Sequence, residues 1–116
     1  KLQYLLESGM SLLPGQEVTS TQSSELAVDR FAGRVMFPVH DEAGRVVGFG
    51  GRALGQLTKT AKYINSPESP VYKKSKILYG LWQGKKHIQQ SDNCYLVEGY
   101  MDVITLIFLN INLIFS

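Results

Sequence analysis

The order of apolar and polar residues is strand-like in the middle of this 116-residue chain. Apolar side chains dominate residues 34–40 and 45–50, and the polar, glycine-containing segment 41–44 separates the two runs. This pattern predicts a β-hairpin. Pro38 lies within the first run and has no N–H to donate, so we expect this strand at a sheet edge or at a bulge. Residues 62–67 are predicted to be a short extended piece that ends before a proline.

The second half of the chain alternates between helical and strand-like patterns. Residues 76–90 have apolar side chains at helical spacing and are predicted to be mostly helical. Residues 93–98 form an apolar run, 100–109 are predicted to be a helix, and 112–116 begin another apolar strand. A strand, a helix and a strand in this order imply a parallel pair with a right-handed crossover. The predicted fold class is therefore mixed α/β.

Two segments are predicted to be loops: residues 12–26, which contain proline, glycine and a run of Ser, Thr and Gln, and residues 54–61. The last apolar strand, 112–116, would need neighbours on both of its edges. We therefore expect the chain to be a fragment of a longer protein.

Three glycines surround Phe49 in the second hairpin strand: Gly48, Gly50 and Gly51. A glycine in a strand costs about 0.5–1 kcal/mol relative to alanine, so three of them need a reason. A bulge, or a close approach of the backbone to a ligand, is the simplest explanation.

Charge is distributed unevenly along the chain, although the formal net charge is only +2. Residues 52–91 contain eight Lys or Arg and one acid, Glu68, which gives this segment a net charge of +7. Aromatic residues lie among these lysines, and rings beside cations suit stacked bases and phosphates. The pattern favours a polyanionic partner, and a solvated surface is the structural alternative.

Glu98 stands where the apolar run 93–98 ends, and a glycine and a predicted helix follow it. In an open α/β sheet, ligands bind in the crevice beyond the carboxyl ends of the strands. A carboxylate there suits a metal ion or a proton transfer, and capping of the helix is the alternative. Asp102, on the first helical turn, has the same two interpretations. Because Mg²⁺ is bound by one or two carboxylates with waters and phosphates, further ligands would have to come from sequence beyond Ser116.

Composition excludes several other classes of protein. Cys94 is the single cysteine, so no internal disulfide can form, and a zinc site built from several cysteines is excluded. This cysteine lies in an apolar run and is predicted to be buried. The most apolar stretch, 103–115, is shorter than the roughly twenty residues that span a bilayer. We expect a soluble cytoplasmic protein with no membrane partner.

Four segments resemble the motifs of bacterial DnaG-type primases, in family order and with family-like spacing: the hallmark run at residues 30–52, the next motif at 62–68, the third at 74–81 and the opening of the Toprim metal-binding fold at 96–103. The second reads Lys62-Tyr63-Ile64-Asn65-Ser66-Pro67-Glu68, and the fourth reads Leu96-Val97-Glu98-Gly99-Tyr100-Met101-Asp102-Val103. The similarity extends from about residue 29 to residue 103.

The resemblance implies an enzyme of the primosome that synthesises short RNA primers on single-stranded DNA by Mg²⁺- or Mn²⁺-dependent nucleotidyl transfer. It implies that Glu98 lies near the metals or acts as general base. It also implies that a set of basic and polar residues contacts template, primer or triphosphate: Arg34, Arg52, Lys62, Tyr63, Asn65 and Lys74. The implied partners are single-stranded DNA, ribonucleoside triphosphates, an RNA–DNA hybrid and, through a domain absent here, the replicative helicase.

The resemblance further implies how the chain is divided. Residues 1–91 would be the basic N-terminal subdomain of the catalytic core, and residues 92–116 the truncated start of the Toprim subdomain. The family's zinc-binding domain and later acidic metal motif are absent from these residues, so the fragment alone is expected to be inactive. The implied location is the bacterial cytoplasm, at replication forks of the nucleoid. Two alternatives stay open: another Toprim enzyme, either a nuclease or a topoisomerase, and a non-catalytic module that binds single-stranded DNA.

Overall fold

The structure is a computed structural model that describes residues 2–13, 27–55, 61–109, 111 and 113–115. Its helices are α1 (Leu2–Glu7), α2 (Leu81–Ser91) and α3 (Tyr100–Phe108), and a short 3₁₀ helix spans Lys74–Lys76. Its strands are β1 (Ser11–Leu12), β2 (Val28–Asp29), β3 (Arg34–His40), β4 (Val46–Ala53), β5 (Tyr63–Asn65), β6 (Tyr95–Val97) and β7 (Leu113–Phe115). The mixture of helices and strands confirms the predicted α/β class.

The predicted hairpin forms most of the central sheet. β3 pairs antiparallel with β4, and β4 pairs antiparallel with β5, in the order β3-β4-β5. β3 is therefore an edge strand of this sheet, which confirms the edge position predicted from Pro38. The register of β3 with β4 shifts between Val39 and His40, so a β-bulge or a similar irregularity begins one residue after Pro38.

The hairpin turn is held by the carboxylate of Asp41. Its Oδ1 accepts the backbone N–H groups of Ala43 at 3.0 Å and Arg45 at 2.9 Å, and its Oδ2 accepts Nε of Arg45 at 2.8 Å. The backbone N–H of Arg45 is the main cause that lowers the pKa of Asp41 below its usual range, and the guanidinium of the same residue adds to the effect. Folding therefore favours the ionised carboxylate.

The glycines of β4 make room for aromatic rings. A Cβ at Gly50 would lie 2.5 Å from Cζ of Tyr100, and a Cβ at Gly51 would lie 2.5 Å from the ring of Phe31. Gly48 faces another buried ring in the same way. The predicted close approach of the backbone is present at these positions, and it is made to side chains of the protein. The bulge that was the other predicted explanation lies beside Gly48, at the register shift between Val39 and His40.

The hydrophobic core lies where the central sheet meets α3. Its buried members are Phe37, Val39, Tyr72 and Tyr100. Partly buried side chains pack around them: Val47, Ile77, Tyr79 and Ile104. Because Tyr100 is the first residue of α3, this core joins the hairpin to the C-terminal β-α-β unit.

β6, α3 and β7 form the predicted β-α-β unit. β6 pairs in parallel with β7, which confirms the expected strand direction. The prediction that Cys94 is buried was wrong, because the strand begins one residue later and the cysteine is exposed. Tyr95 and Leu96 on β6 are exposed as well, since β7 is the one strand that pairs with β6 in the described part of the chain.

The helix predicted over residues 76–90 begins later, at Leu81. Gly80 precedes it with a φ of +86°, in the left-handed region that favours glycine. A Cβ at this position would also lie 2.6 Å from Cγ1 of Val103 on α3. The left-handed turn interrupts the helical path, so a separate 3₁₀ turn forms upstream of it.

The predicted loops lie largely at residues 14–26 and 56–60, outside the described residues. The start of the first loop is different from the prediction, because Ser11–Leu12 pairs antiparallel with Val28–Asp29. Among the described residues, the helices are all too short or too polar to cross a membrane.

Candidate functional site

A cleft of about 340 Å³ lies beside the N-terminal end of α3. It is lined by residues from β5 and from the junction of β6 with α3: Tyr63, Asn65, Glu98, Gly99, Tyr100, Met101 and Asp102. Three of the residues predicted to be functional, Tyr63, Asn65 and Glu98, therefore share one cleft. The fold brings them together from two motifs that are distant in the sequence.

Glu98 is exposed in this cleft and comes directly after β6, at the position predicted for it. Its carboxylate makes no hydrogen bond or ion pair with any residue that the structure describes. The N-cap of α3 is Gly99, and no side chain caps this helix by a hydrogen bond. The capping interpretation of Glu98 therefore finds no supporting contact. Asp102 is exposed on the first turn of α3 and lines the same cleft.

Asn65 is held in place by Tyr100. The Tyr100 hydroxyl donates a hydrogen bond to Oδ1 of Asn65 at 2.7 Å. The ring of Tyr100 stacks on Phe37, with 5.0 Å between centroids and 4° between planes, and Tyr79 meets it edge-on at 4.6 Å. Burial raises the pKa of the Tyr100 hydroxyl, so this group stays protonated and remains a hydrogen-bond donor.

The pleat of the central sheet divides the predicted binding residues between its two faces. Arg52 lies directly opposite Tyr63, and Asn65 is two residues further along the same strand. Residues opposite each other share a face, and so do residues two apart on one strand. These three residues therefore lie on the face that packs against α3. Arg34 is paired with Ala53, one position out of phase with that row, so it lies on the other face. Lys62 precedes β5 and is not among the paired residues of the sheet.

Arg34 is hydrogen-bonded to the backbone. Its Nη1 donates to the carbonyl oxygen of Ala61 at 2.9 Å and, at 3.4 Å, to the carbonyls of Gly51 and Lys62. These bonds tie the edge strand β3 to the segment that enters β5. In this structure the guanidinium of Arg34 supports the strand that carries the cleft residues.

The other basic residues of the predicted set have no acidic partner in the described ranges. The ion pair between Arg45 and Asp41 is the one salt bridge found there. Lys62 and Lys74 are exposed, whereas Arg52 is half-buried. The Nε of Arg52 is buried and has no hydrogen-bond acceptor among these residues. A buried N–H without an acceptor is costly, and Nε of Arg30 is in the same situation.

The oxygen ligands at the cleft suit a hard divalent cation. Glu98 and Asp102 offer two carboxylates, and Mg²⁺ is usually held by one or two carboxylates together with waters and substrate phosphates. Mn²⁺ prefers the same kind of ligand. Within the described residues, no group of three or more His, Cys, Asp or Glu side chains gathers to hold a metal. The residues present therefore fit an ion that is shared with a phosphate substrate.

Tyr100 is the functional-site residue that sequence reasoning missed. The helical pattern does not distinguish it, because its contact with Asn65 joins positions 35 residues apart. A signal was nevertheless present in the glycines of β4. Gly50 leaves the space that the Tyr100 ring occupies, so an unexplained strand glycine marked the place where a large side chain would pack.

Comparison with known proteins identifies a family with a similar sequence. Residues 3–85 match the family described as DNA primase catalytic core, N-terminal domain. A DNA primase of Pseudomonas putida is 54% identical over 78 residues, which make up 67% of this chain and 12% of that protein. The chain therefore spans a small part of the length of this relative.

Solved structures share the fold. The crystal structure of the zinc-binding and RNA polymerase domains of the Aquifex aeolicus primase matches with a TM-score of 0.84 and 38% identity, over 97% of this chain and 26% of that one. A DnaG primase catalytic domain bound to single-stranded DNA matches with a TM-score of 0.74 and 42% identity, over 98% of this chain and 34% of that one.

Proposed function

Because the chain belongs to the family of bacterial DnaG-type DNA primases, we propose that it forms part of an enzyme that synthesises short RNA primers on single-stranded DNA. The reaction class is nucleotidyl transfer. A ribose hydroxyl attacks the α-phosphate of an incoming ribonucleoside triphosphate, a new phosphodiester bond forms, and pyrophosphate leaves with the electrons of the broken bond.

The observation that carries this proposal is the cleft at the N-terminal end of α3. It places the carboxylate of Glu98, which has no partner among the described residues, beside the aromatic ring of Tyr63 and the amide of Asn65. Arg52 lies opposite Tyr63 on the same face of the sheet and has a buried donor without an acceptor in the described part of the chain. Carboxylate, ring, amide and guanidinium together suit a metal-bound phosphate, a stacked base and a nucleic-acid backbone.

We assign roles to these residues as part of the same proposal. Glu98, with Asp102, would hold Mg²⁺ or Mn²⁺, or Glu98 would accept the proton of the attacking hydroxyl. When bound, the ion would neutralise the phosphates and orient them for displacement. Arg52 would bind a phosphate oxygen, and Tyr63 would stack on a base. The remaining contacts with nucleic acid or triphosphate would be made by Arg34, which is hydrogen-bonded to backbone carbonyls, and by the exposed Lys62 and Lys74.

The partners and the division of the chain belong to the same proposal. The relative whose catalytic domain is bound to single-stranded DNA supports a single-stranded template here. Ribonucleoside triphosphates and an RNA–DNA hybrid follow from the reaction, and the replicative helicase would bind elsewhere in the enzyme. Residues 1–91 would form the basic N-terminal subdomain and residues 92–116 the start of the Toprim subdomain. The enzyme would act at replication forks in the bacterial cytoplasm.

Replacing Glu98 with glutamine tests the proposal. In the full-length enzyme of which we propose this chain is a part, Glu98→Gln should lower the rate of primer synthesis by about a hundredfold or more, because the loss of the charge removes a metal ligand or a general base. The thermal midpoint should not change, since the carboxylate has no described partner. Glu42→Gln is the matched control, because Glu42 is an exposed glutamate in the hairpin turn, away from the cleft.

Primer synthesis is followed as metal-dependent incorporation of labelled ribonucleotides on a single-stranded template. An enzyme whose Glu98→Gln variant is as active as the Glu42→Gln control would contradict the proposed role of the cleft. Template binding without any incorporation by the parent enzyme would favour the alternative of a non-catalytic binding module. Cleavage of the template in place of incorporation would favour the Toprim nuclease.

A further inference from the structure

We propose that Tyr100 is a positioning residue for the nucleic-acid strand: its hydroxyl fixes the Asn65 amide so that the amide N–H₂ group faces the cleft as a donor. This inference rests on the proposed function, because it takes single-stranded DNA as the occupant of the cleft. Tyr100 itself need not touch the strand. It acts through Asn65, which it holds by a hydrogen bond of 2.7 Å.

In the structure, Oδ1 of Asn65 faces the Tyr100 hydroxyl. Because a carbonyl oxygen can only accept, the hydroxyl is the donor of this bond. Oδ1 is thereby occupied on the side of the core, and Nδ2 is left with two N–H donors. Within the described ranges, Nδ2 of Asn65 has no hydrogen-bond partner. A pair of free donors in a cleft suits phosphate, sugar or base oxygens of a nucleic-acid strand.

Tyr100 can hold the amide because its own ring is fixed on three sides. Tyr100 is 7% exposed, and its ring stacks on Phe37 and meets Tyr79 edge-on. Gly50 lies under it without a side chain, and a Cβ there would come within 2.5 Å of the ring. A side chain locked by packing positions a neighbour better than a mobile one, because less conformational freedom remains to be lost on binding.

The same tyrosine also relates Asn65 to Glu98. Tyr100 is two residues after Glu98 and begins α3, so the contact that orients the amide also anchors the end of the helix next to the carboxylate. Through Tyr100, the Asn65 amide is therefore connected to the start of α3, two residues from the carboxylate that lines the same cleft. The hydroxyl of Tyr100 thus links two parts of one site that come from different motifs.

The test is the removal of that hydroxyl with the ring retained. In the full-length enzyme, Tyr100→Phe should weaken binding of a fluorescently labelled single-stranded oligonucleotide by about tenfold, the effect of removing one hydrogen bond of ordinary strength. Tyr79→Phe is the matched control, since Tyr79 packs on the same ring and has no hydrogen bond to Asn65. The control should bind the oligonucleotide as the parent does.

A double-variant comparison separates positioning from a merely structural contribution. If Tyr100 acts through Asn65, then Tyr100→Phe combined with Asn65→Ala should bind no more weakly than Asn65→Ala alone. Additive losses of affinity would overturn the inference, and so would an unchanged affinity of Tyr100→Phe beside a weakened Asn65→Ala. An unchanged affinity of Asn65→Ala would overturn the proposed role of Asn65 as well. Measurement below the unfolding transition of every variant keeps stability out of the comparison.

Discussion

Replacing Gly50 with alanine should loosen the contact between the central sheet and α3. The new Cβ would lie 2.5 Å from Cζ and 2.6 Å from the hydroxyl oxygen of Tyr100. Ordinary contact begins near 3.4 Å, so the ring would have to withdraw by roughly 1 Å. It has little room to do so, because Phe37 stacks on it with 5.0 Å between centroids.

The expected cost follows from two opposing effects. Forcing one extra methyl group into a packed core costs about 1–3 kcal/mol. Against this, alanine is favoured over glycine by about 0.5–1 kcal/mol in a strand, and the backbone at Gly50 is outside the left-handed region, so alanine adds no backbone strain. The overpacking cost is the larger of the two. We expect the free energy of unfolding to fall by about 1–2 kcal/mol.

Gly48→Ala is the matched control for this measurement. Gly48 lies on the same strand and the same face, but its Cβ would be 3.0 Å from the ring of Tyr72, a shortfall of only a few tenths of an ångström. Denaturant unfolding of both variants, followed by near-ultraviolet circular dichroism of the aromatic core, should rank Gly50→Ala clearly below Gly48→Ala. Equal stability of the two variants, or a more stable Gly50→Ala, would refute the packing argument.

Two further predictions concern charge. Single-stranded DNA binding should weaken in Arg52→Ala, and the slope of log affinity against log salt should decrease in magnitude by about 0.7 for each phosphate that the variant no longer neutralises. Arg45→Ala is the control, because Arg45 is paired with Asp41. Equal slopes in both variants would argue that Arg52 does not face the DNA. Asp41→Asn should destabilise the hairpin at neutral pH, because the folded state lowers the pKa of Asp41 from its ordinary value of 3.8. That stabilisation is present above 3.8 and is lost as the pH falls through the lower folded pKa, so parent and variant should converge in acid, and a difference that persists there would contradict the assignment.

The secondary structure of this chain was largely determined by local patterns. The two apolar runs around residues 41–44 predicted the hairpin, and the structure has strands at Arg34–His40 and Val46–Ala53. Pro38 predicted an edge strand because a missing N–H is tolerated only there or at a bulge. The position of Glu98 after an apolar run predicted its place at a strand end. These inferences succeed because each depends on neighbours within a few residues.

The arrangement of the site was decided by tertiary structure. Six predicted binding residues looked like one surface in the sequence, but the pleat and register of the sheet place Arg52, Tyr63 and Asn65 on one face and Arg34 on the other. The face of the sheet on which a residue lies depends on the residue that it pairs with, and a sequence pattern does not specify that partner. The same holds for the buried donor of Arg52, which depends on what surrounds it in space.

Gly50 and Gly80 show most clearly what cannot be predicted from the sequence. The sequence by itself indicated that Gly50 was unusual, since a glycine within a strand has a cost. Gly80 was included in the helix predicted over residues 76–90 and was not singled out. The sequence could not indicate that one glycine makes room for Tyr100 and the other for Val103, because those contacts join residues that are far apart along the chain. A glycine in the sequence shows that a side chain is absent at that position, whereas only the packed structure shows which other side chain occupies the space.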